Sequence, residues 1–510
     1  MTSTRTSPPA TFVQARDGRL VDGAGQVRLR GVALGGWLLP EGYMWRLGDH
    51  ASSPRQIEAL VTRLVGPVRG RQFWTRYRDA FVTRADVAAV AAAGFDHLRV
   101  PINARIVQDA AGDPVEEGYR LLDRVIGWAA ESGLRVLLDL HGAPGGQTGT
   151  NIDDSPRGLP ELFMDARYRA LTLRLWTDLA TRYAHEPAVL GYDLLNEPLP
   201  NQWQHTYADD LAHLYQDLTA AIRRVDPDHL LVYEGTHWAT NVDIFDRVWD
   251  PNSCIQFHRY WSAPDLAGIE RFLTVRDELG LPLYMGEGGE NTLEWLYTAA
   301  RLYERHEIGW NLWTWKKVET RTSPVSVPAP DGWDAFLASA DGTPRLGPDQ
   351  AWRVLEDLLD ALPYERASHR PDVVRAVLGR KPAVLPAWGF GFRGPGQSHR
   401  TARSTEHPVL RADDAVALVW AHDGEHPDNP FEQNDGRPYT PGEELAVRLD
   451  PGDWLEYELD AVPDVRAYTA VTCEGEKDAI DLEPSDRGLR ATARRPATLL
   501  RLVRTGDPRP

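Results

Sequence analysis

Along the first two thirds of the chain, short apolar runs rich in β-branched and aromatic residues alternate with segments of helical period. Eight such runs stand out, at residues 27–36, 97–103, 135–142, 189–197, 230–236, 255–261, 281–287 and 309–316. Between them, residues 84–93, 119–132, 166–185, 207–225, 266–279 and 292–306 carry apolar positions on one side, as Leu122, Val125, Ile126 and Ala129 do, and residues 349–362 supply a closing helix. That spacing predicts helices packed on a sheet. Eight β/α units in one run predict an α/β fold, a (β/α)8 TIM barrel over residues 12–365, rather than an open sheet. Residues 38–80 and 317–347 read as long loops after the first and eighth strands, containing Trp45, Trp74, Tyr77 and Trp333, and either shape a pocket or elaborate the surface. After about residue 382 the texture changes to short strands separated by Gly, Pro and Asp turns, which predicts an all-β sandwich domain over 382–510.

Composition narrows the partners. With 56 Lys and Arg against 74 Asp and Glu the net charge is −18, which argues against nucleic acid or an anionic membrane as the main partner. The 18 Trp suit flat apolar ring faces as well as core packing. Cys254 and Cys473, far apart, give neither a disulfide framework nor a metal cluster. Met1 through Ala15 is polar and no run approaches about 20 apolar residues, so the expectation is a chain without signal peptide or membrane span, and a cytoplasmic location.

The polar residues fall at one end of the predicted strands. Arg99, His141, Asn196, Glu197, Glu234, His258, Tyr260, Glu287 and Trp313 all lie at or near C-terminal strand ends, the face where such barrels build active sites. Asn196-Glu197-Pro198 sets a carboxylate where one buried strand stops, and Glu287 follows another. Two carboxylates at two strand ends are what retaining glycoside hydrolysis requires. Glu234 and Glu290 compete for these roles, but Glu287 abuts its strand directly. No His-x-x-x-His or Cys-x-x-Cys pair lies near the strand ends, and the spacing of His422 and His426 falls in a turn region, so neither metal nor cofactor is expected. The glycines of His141-Gly142-Ala143-Pro144-Gly145-Gly146-Gln147 lack the Gly-Lys-Ser/Thr ending of a phosphate loop.

The barrel portion resembles glycoside hydrolase family 5. The matching pieces are Gly31 through Trp37, His97-Leu98-Arg99-Val100-Pro101, Asp139-Leu140-His141-Gly142, Asn196-Glu197-Pro198, His258-Arg259-Tyr260, Gly286-Glu287 and Trp313-Thr314-Trp315-Lys316, in the family's order. The resemblance implies Glu197 as acid/base and Glu287 as nucleophile, with Asn196 on the sugar 2-hydroxyl and Arg99 and Tyr260 on Glu287. It also implies His258 near the acid/base, His141 and Trp37 in the pocket, and Trp313 as the floor under the cleaved sugar. The 141–147 loop is similar to that of the exo-β-1,3-glucanase-like branch, where it walls the pocket. Gly288-Gly289-Glu290-Asn291 departs from the pattern, since many relatives carry an aromatic residue directly after the nucleophile. Pro451 through Tyr457 faintly resembles a strand of some carbohydrate-binding modules, but a structural accessory role is expected. The function implied is a retaining β-glycosidase acting on β-glucosides or short β-gluco-oligosaccharides, exo-acting. The alternatives are a β-mannosidase, a hydrolase of glycolipids or alkyl β-glycosides, and a non-catalytic carbohydrate-binding barrel.

Overall fold

The computed structural model describes residues 11–506 apart from 151, 405, 406, 408, 433, 434, 462, 463 and 477. The first ten residues of the polar amino-terminal stretch therefore lie outside the described residues. Eight parallel strands close into a barrel: β1 (Arg30–Ala33), β2 (His97–Asn103), β3 (Arg135–Gly142), β4 (Val189–Asp193), β5 (Leu230–Glu234), β6 (Ser253–His258), β7 (Leu283–Gly289) and β8 (Gly309–Trp313), with β8 pairing back onto β1. Every residue of these eight strands is buried. A parallel sheet covered by helices outside and filled by side chains inside leaves no wet face, which is why the strands read as continuous apolar runs. Short antiparallel strands Gln14–Arg16 and Arg19–Asp22 precede the barrel. Val13 and Leu20 pack there with Leu29, Leu137, Leu190 and Leu230, and so plug its amino-terminal mouth.

The six interstrand helices form close to the expected places, for example Arg84–Ala93, where Thr83 and Asp86 cap each other reciprocally and Gly94 ends the helix at φ 96°. The expectation of a long loop at 38–80 is wrong. Most of it is helix, Pro54–Phe81, two segments run together across a kink at Gly66 and Pro67. The Gly-Pro pair and a weakly one-sided apolar pattern hid it. Its buried face carries Phe73, Trp74 and Tyr77, which pack with Trp45, and Trp45 in turn meets Trp333. These aromatics are core, not pocket wall, because helix packing takes the rings that a loop would have left free. Residues 317–347 also hold structure, including strands Lys316–Val318 and Val325–Val327 and helix Trp333–Ala338.

The carboxy-terminal region is a sandwich of two sheets. One orders Val384–Pro386, Ala497–Arg504, Leu445–Leu449 and Ala417–Trp420, with Tyr468–Thr472 on the other side of Ala497–Arg504; the second orders His399–Arg400, Trp454–Glu458, Gly488–Ala493 and Ile480–Ser485. Its apolar residues run without a break into the core of the barrel. Arg30 at the start of β1 donates to Asp460 at 2.7 Å, and Tyr297 donates to the Glu458 carbonyl at 2.9 Å. Cys254 is buried in the barrel and Cys473 exposed in the sandwich, both as free thiols. Among the described residues no helix is long and apolar enough to cross a membrane.

Candidate active site

Arg99, the third residue of β2, is fully buried, and its side chain organises the carboxyl end of the barrel. Its Nε donates to Asp193 of β4 at 2.9 Å, its Nη1 donates to Glu287 of β7, and its Nη2 donates to Asn196 at 2.8 Å and Glu234 at 3.3 Å, with Asp139 of β3 at 3.2 Å. A guanidinium so far from water is tolerable only because its donors meet carboxylates in a fixed fork. One cation thereby sets the angular positions of five strands.

Glu287 is aimed inward by an irregularity in β7. Met285 pairs with Phe257 but Glu287 pairs with His258, so one residue of the strand is extra at Gly286. Such a bulge turns the next side chain. Glycine is required there, since a Cβ at 286 would lie 2.1 Å from the Gln256 side chain. The Tyr260 hydroxyl donates to the second oxygen of Glu287 at 3.0 Å.

Glu197 sits in left-handed backbone, φ 43°. That conformation is uncommon for a residue with a side chain and is held by a specific bond: the Glu197 amide donates to Glu234 at 2.6 Å. Glu234 thus serves the turn that presents Glu197, which explains why a second strand-end glutamate stands so close. The turn is held from the other side by Gln147, whose amide donates to the carbonyls of Asn196 at 2.9 Å and His141 at 2.7 Å. The glycine-rich loop is therefore a brace for Asn196 and Glu197.

The Nδ1 atom of His258 lies 2.8 Å from Glu197, and its Nε2 lies 3.4 Å from Glu234. Burial works against charge on this imidazole, but Glu234, Glu287 and Glu197 around it win, and its pKa lies well above 6.5. His141 is the opposite case: burial, reinforced by Arg99, brings it down to about 4 despite the neighbouring glutamates. His141 meets Asp139 at 2.8 Å and stacks on Trp313 with ring centroids 5.3 Å apart. Burial raises Glu287 above 4.5, with His258 and Arg99 pulling it back. Burial also lifts Asp139, to about 8, and Asp193, against the pull of Arg99.

One donor atom each from Glu197, His258 and Glu287 falls within 4.8 Å of the others. The spacing would suit a metal ion, but Arg99 already spends its charge on Glu287 and would repel a second cation there. The same closeness puts the two carboxyl groups near enough for one to attack a sugar while the other protonates the departing oxygen.

The structure brings together Glu197, Glu287, Arg99, Asn196, His141, His258, Tyr260 and Trp313. Trp37 stands apart: it is buried, and its indole N–H donates to the Arg78 carbonyl at 2.8 Å. It ties the first loop to helix Pro54–Phe81, directly after Gly36 in left-handed backbone, φ 85°. Glu290 turns from the pair toward Lys317, at 2.5 Å. Sequence reasoning missed Asp139, Asp193 and Gln256, which face the barrel interior from the strands, and Glu41 and Tyr43 in the first loop. Tyr43 accepts the Trp313 indole N–H at 2.6 Å. Glu41 is buried, and burial with the charges of Glu287, Glu290 and Glu197 holds it well above 4.5. Alternation along β3 and β4 was a usable signal for the aspartates. Nothing local marked Glu41.

A closed β/α barrel with two carboxylates facing each other across its carboxyl-terminal mouth defines the class of barrel glycoside hydrolases. Within that class the chain belongs to glycosyl hydrolase family 5, whose cellulase model matches residues 60–319. Among curated relatives it is 27% identical to a β-xylosidase of Phanerodontia chrysosporium over 60% of this chain and 71% of that protein. It is 34% identical to a probable glucan 1,3-β-glucosidase A of Aspergillus terreus over 40% of this chain and 49% of that protein, so the chain spans about half the length of such relatives. Among solved structures it is similar to an endogalactoceramidase, with 18% identity, a TM-score of 0.47 and coverage of 97% of this chain and 99% of that one. Cel5A of Thermotoga maritima gives 18% identity and a TM-score of 0.43 over 62% of this chain and 97% of that one.

Proposed function

We infer that the protein is a retaining β-glycosidase that removes terminal glucose from β-glucosides or short β-gluco-oligosaccharides. The observation that carries this reading is the asymmetry of the carboxyl pair. Glu287 receives Arg99 and Tyr260, both of which favour its ionised form and mark it as the attacking carboxylate, while Glu197 lies instead 2.8 Å from the His258 ring. Glu287 attacks the anomeric carbon, the bond to the leaving oxygen breaks, and Glu197 delivers a proton to that oxygen. Esterification removes the charge of Glu287. Glu197, now ionised, takes a proton from water, which attacks the same carbon and restores Glu287 with net retention. Asn196, its amide fixed by Arg99, binds the 2-hydroxyl, and Trp313 underlies the ring.

Release of β-glucose as the first-formed anomer, followed by proton NMR, tests the reaction; first-formed α-glucose would overturn it. A panel of aryl β-glucoside, mannoside, galactoside and xyloside tests the sugar, the β-xyloside included because one relative is a β-xylosidase. Replacing Glu197 by Gln should slow substrates with poor leaving groups by about 10²- to 10⁴-fold while sparing activated aryl glycosides. Equal losses on both would remove Glu197 from the acid role.

The pH profile gives an independent check. Because Glu287 must be ionised and burial raises it, activity is present above its pKa and is lost as pH falls, on a limb above 4.5. Tyr260→Phe deletes a donor to the ionised form, so the limb moves to higher pH and turnover drops about tenfold. A limb that stays in place would show that Tyr260 does not tune Glu287.

A further inference from the structure

The two loops that flank Glu287 are tied together from outside the barrel. The loop after β6 carries Tyr260 and Trp261, and the segment after β7 carries Glu290 and Asn291. Asn429, in the carboxy-terminal region, donates its side-chain amide to the Trp261 carbonyl at 2.7 Å, and its own side-chain oxygen accepts the Phe431 amide at 3.0 Å. The Phe431 carbonyl accepts the side-chain amide of buried Asn291 at 2.8 Å. Next to it, Thr292 donates to the Tyr439 hydroxyl at 3.0 Å. The circuit from Trp261 through Asn429 and Phe431 to Asn291 therefore bridges the loops on either side of the carboxylate. The Arg411 amide adds a further tie, donating to Asp265 at 2.8 Å.

Both tied loops hold a bulky residue in left-handed backbone, Trp261 at φ 47° and Glu290 at φ 52°. Such residues persist where surrounding contacts over-determine them. Here the bond from Asn429 falls on the carbonyl of Trp261 itself, and Asn291 follows Glu290 directly. The result is a Trp261 residue 39% exposed, with its ring centroid 5.6 Å from that of Tyr260, whose hydroxyl touches Glu287. An apolar ring beside the tyrosine that touches the reacting carboxylate, held on strained backbone and left open to solvent, is placed for a ligand rather than for the core. The floor under the cleaved sugar is already Trp313, so Trp261 faces whatever continues beyond that sugar.

We propose that the carboxy-terminal region completes the active site, with Asn429 and Phe431 as positioning residues that clamp the two loops and hold Trp261 as a stacking platform for the leaving-group sugar ring. This rests on the glycosidase reading for the identity of the ring. The clamp itself does not.

Two experiments separate the parts, both on the full chain. In Asn429→Asp the acceptor for Phe431 remains and the donor to Trp261 is lost. Hydrogen exchange should then accelerate about tenfold or more at amides 259–263 and 290–292, with the rest of both domains unchanged. Unchanged exchange at these amides would overturn the clamp whether or not the protein turns over any glycoside. For the platform, laminaribiose and methyl β-glucoside are titrated calorimetrically into Glu287→Ala and into the same protein carrying Trp261→Ala or Asn429→Asp. The two-ring ligand should bind about five- to tenfold more weakly in either double variant, and the one-ring ligand equally in all three. Equal laminaribiose affinity in all three, or no laminaribiose binding by Glu287→Ala alone, would overturn the platform. Failure of the glycosidase reading would show separately, as no glycoside turnover by the unsubstituted protein.

Discussion

Glu287→Ala should lower turnover of an aryl β-glucoside by about 10⁴- to 10⁶-fold, because the residue forms and then releases the covalent bond to sugar. The folded state should not suffer. Arg99 keeps Asp193, Asp139 and Glu234, so no cation is orphaned. The sign of the pH linkage points the same way. An acid whose folded pKa is raised, as burial raises Glu287, opposes folding above its unfolded pKa. Removing it should leave the melting temperature at pH 7 equal to or above that of the unsubstituted protein. The cavity admits a small anion, so added azide should restore turnover and give an α-glucosyl azide from a β-glucoside, the anion entering from the face Glu287 vacates. A β-azide, or activity that survives the substitution, would sink the assignment.

Much of this site was legible before the structure, and the reasons are physical. A parallel barrel buries its strands on both sides, so each strand appears as an apolar run that ends where polarity is tolerated, and the carboxyl ends of β4, β6 and β7 announce Asn196-Glu197, His258 and Glu287 in turn. Arg99 instead stands inside β2, four residues before its end, and reaches the site by the length of its side chain. What escaped was of two kinds. Helix Pro54–Phe81 hides from pattern reading because Gly66 and Pro67 interrupt its periodicity, and its buried aromatic face is core. Residues that matter only through a partner distant in sequence also escaped. Glu41 is an ordinary loop glutamate until folding sets it among the charges of Glu287 and Glu197. Gln147 braces Asn196 from 49 residues away, and Asn429 reaches Trp261 across 168. No local spacing encodes such pairings. Trp37 shows the converse, a residue carried in by motif although its indole serves the backbone of Arg78.

Arg99→Met should have the largest effect on the fold of any single substitution at this site. Methionine fills part of the apolar volume of the arginine stem, so the loss is mainly electrostatic. Asp139, Asp193, Glu234 and Glu287 would remain facing one another without their shared cation. Removing one partner of a buried ion pair costs about 3–5 kcal/mol. The cost falls on the acids charged in the folded protein, Glu234, held below 4.5, and Glu287, since burial lifts Asp139, to about 8, and Asp193 toward the neutral form. The cost must depend on pH, with a sign opposite to that of ordinary acid denaturation. Arg99 draws down the folded-state pKa of all four acids, of Glu234, which lies below 4.5, as well as of Glu287, Asp139 and Asp193, which burial raises, so without it all four rise. Where these acids are protonated in both folded proteins the penalty is small; it grows as pH rises past the folded-state pKa that Glu234 and Glu287 have beside Arg99, where the unsubstituted protein ionises them and the variant does not. The melting-temperature gap between Arg99→Met and the unsubstituted protein should therefore widen from pH 5 to pH 8. A gap that is constant or narrows would mean that Arg99 holds the barrel mouth by packing, and that the carboxylates around it are neutral already.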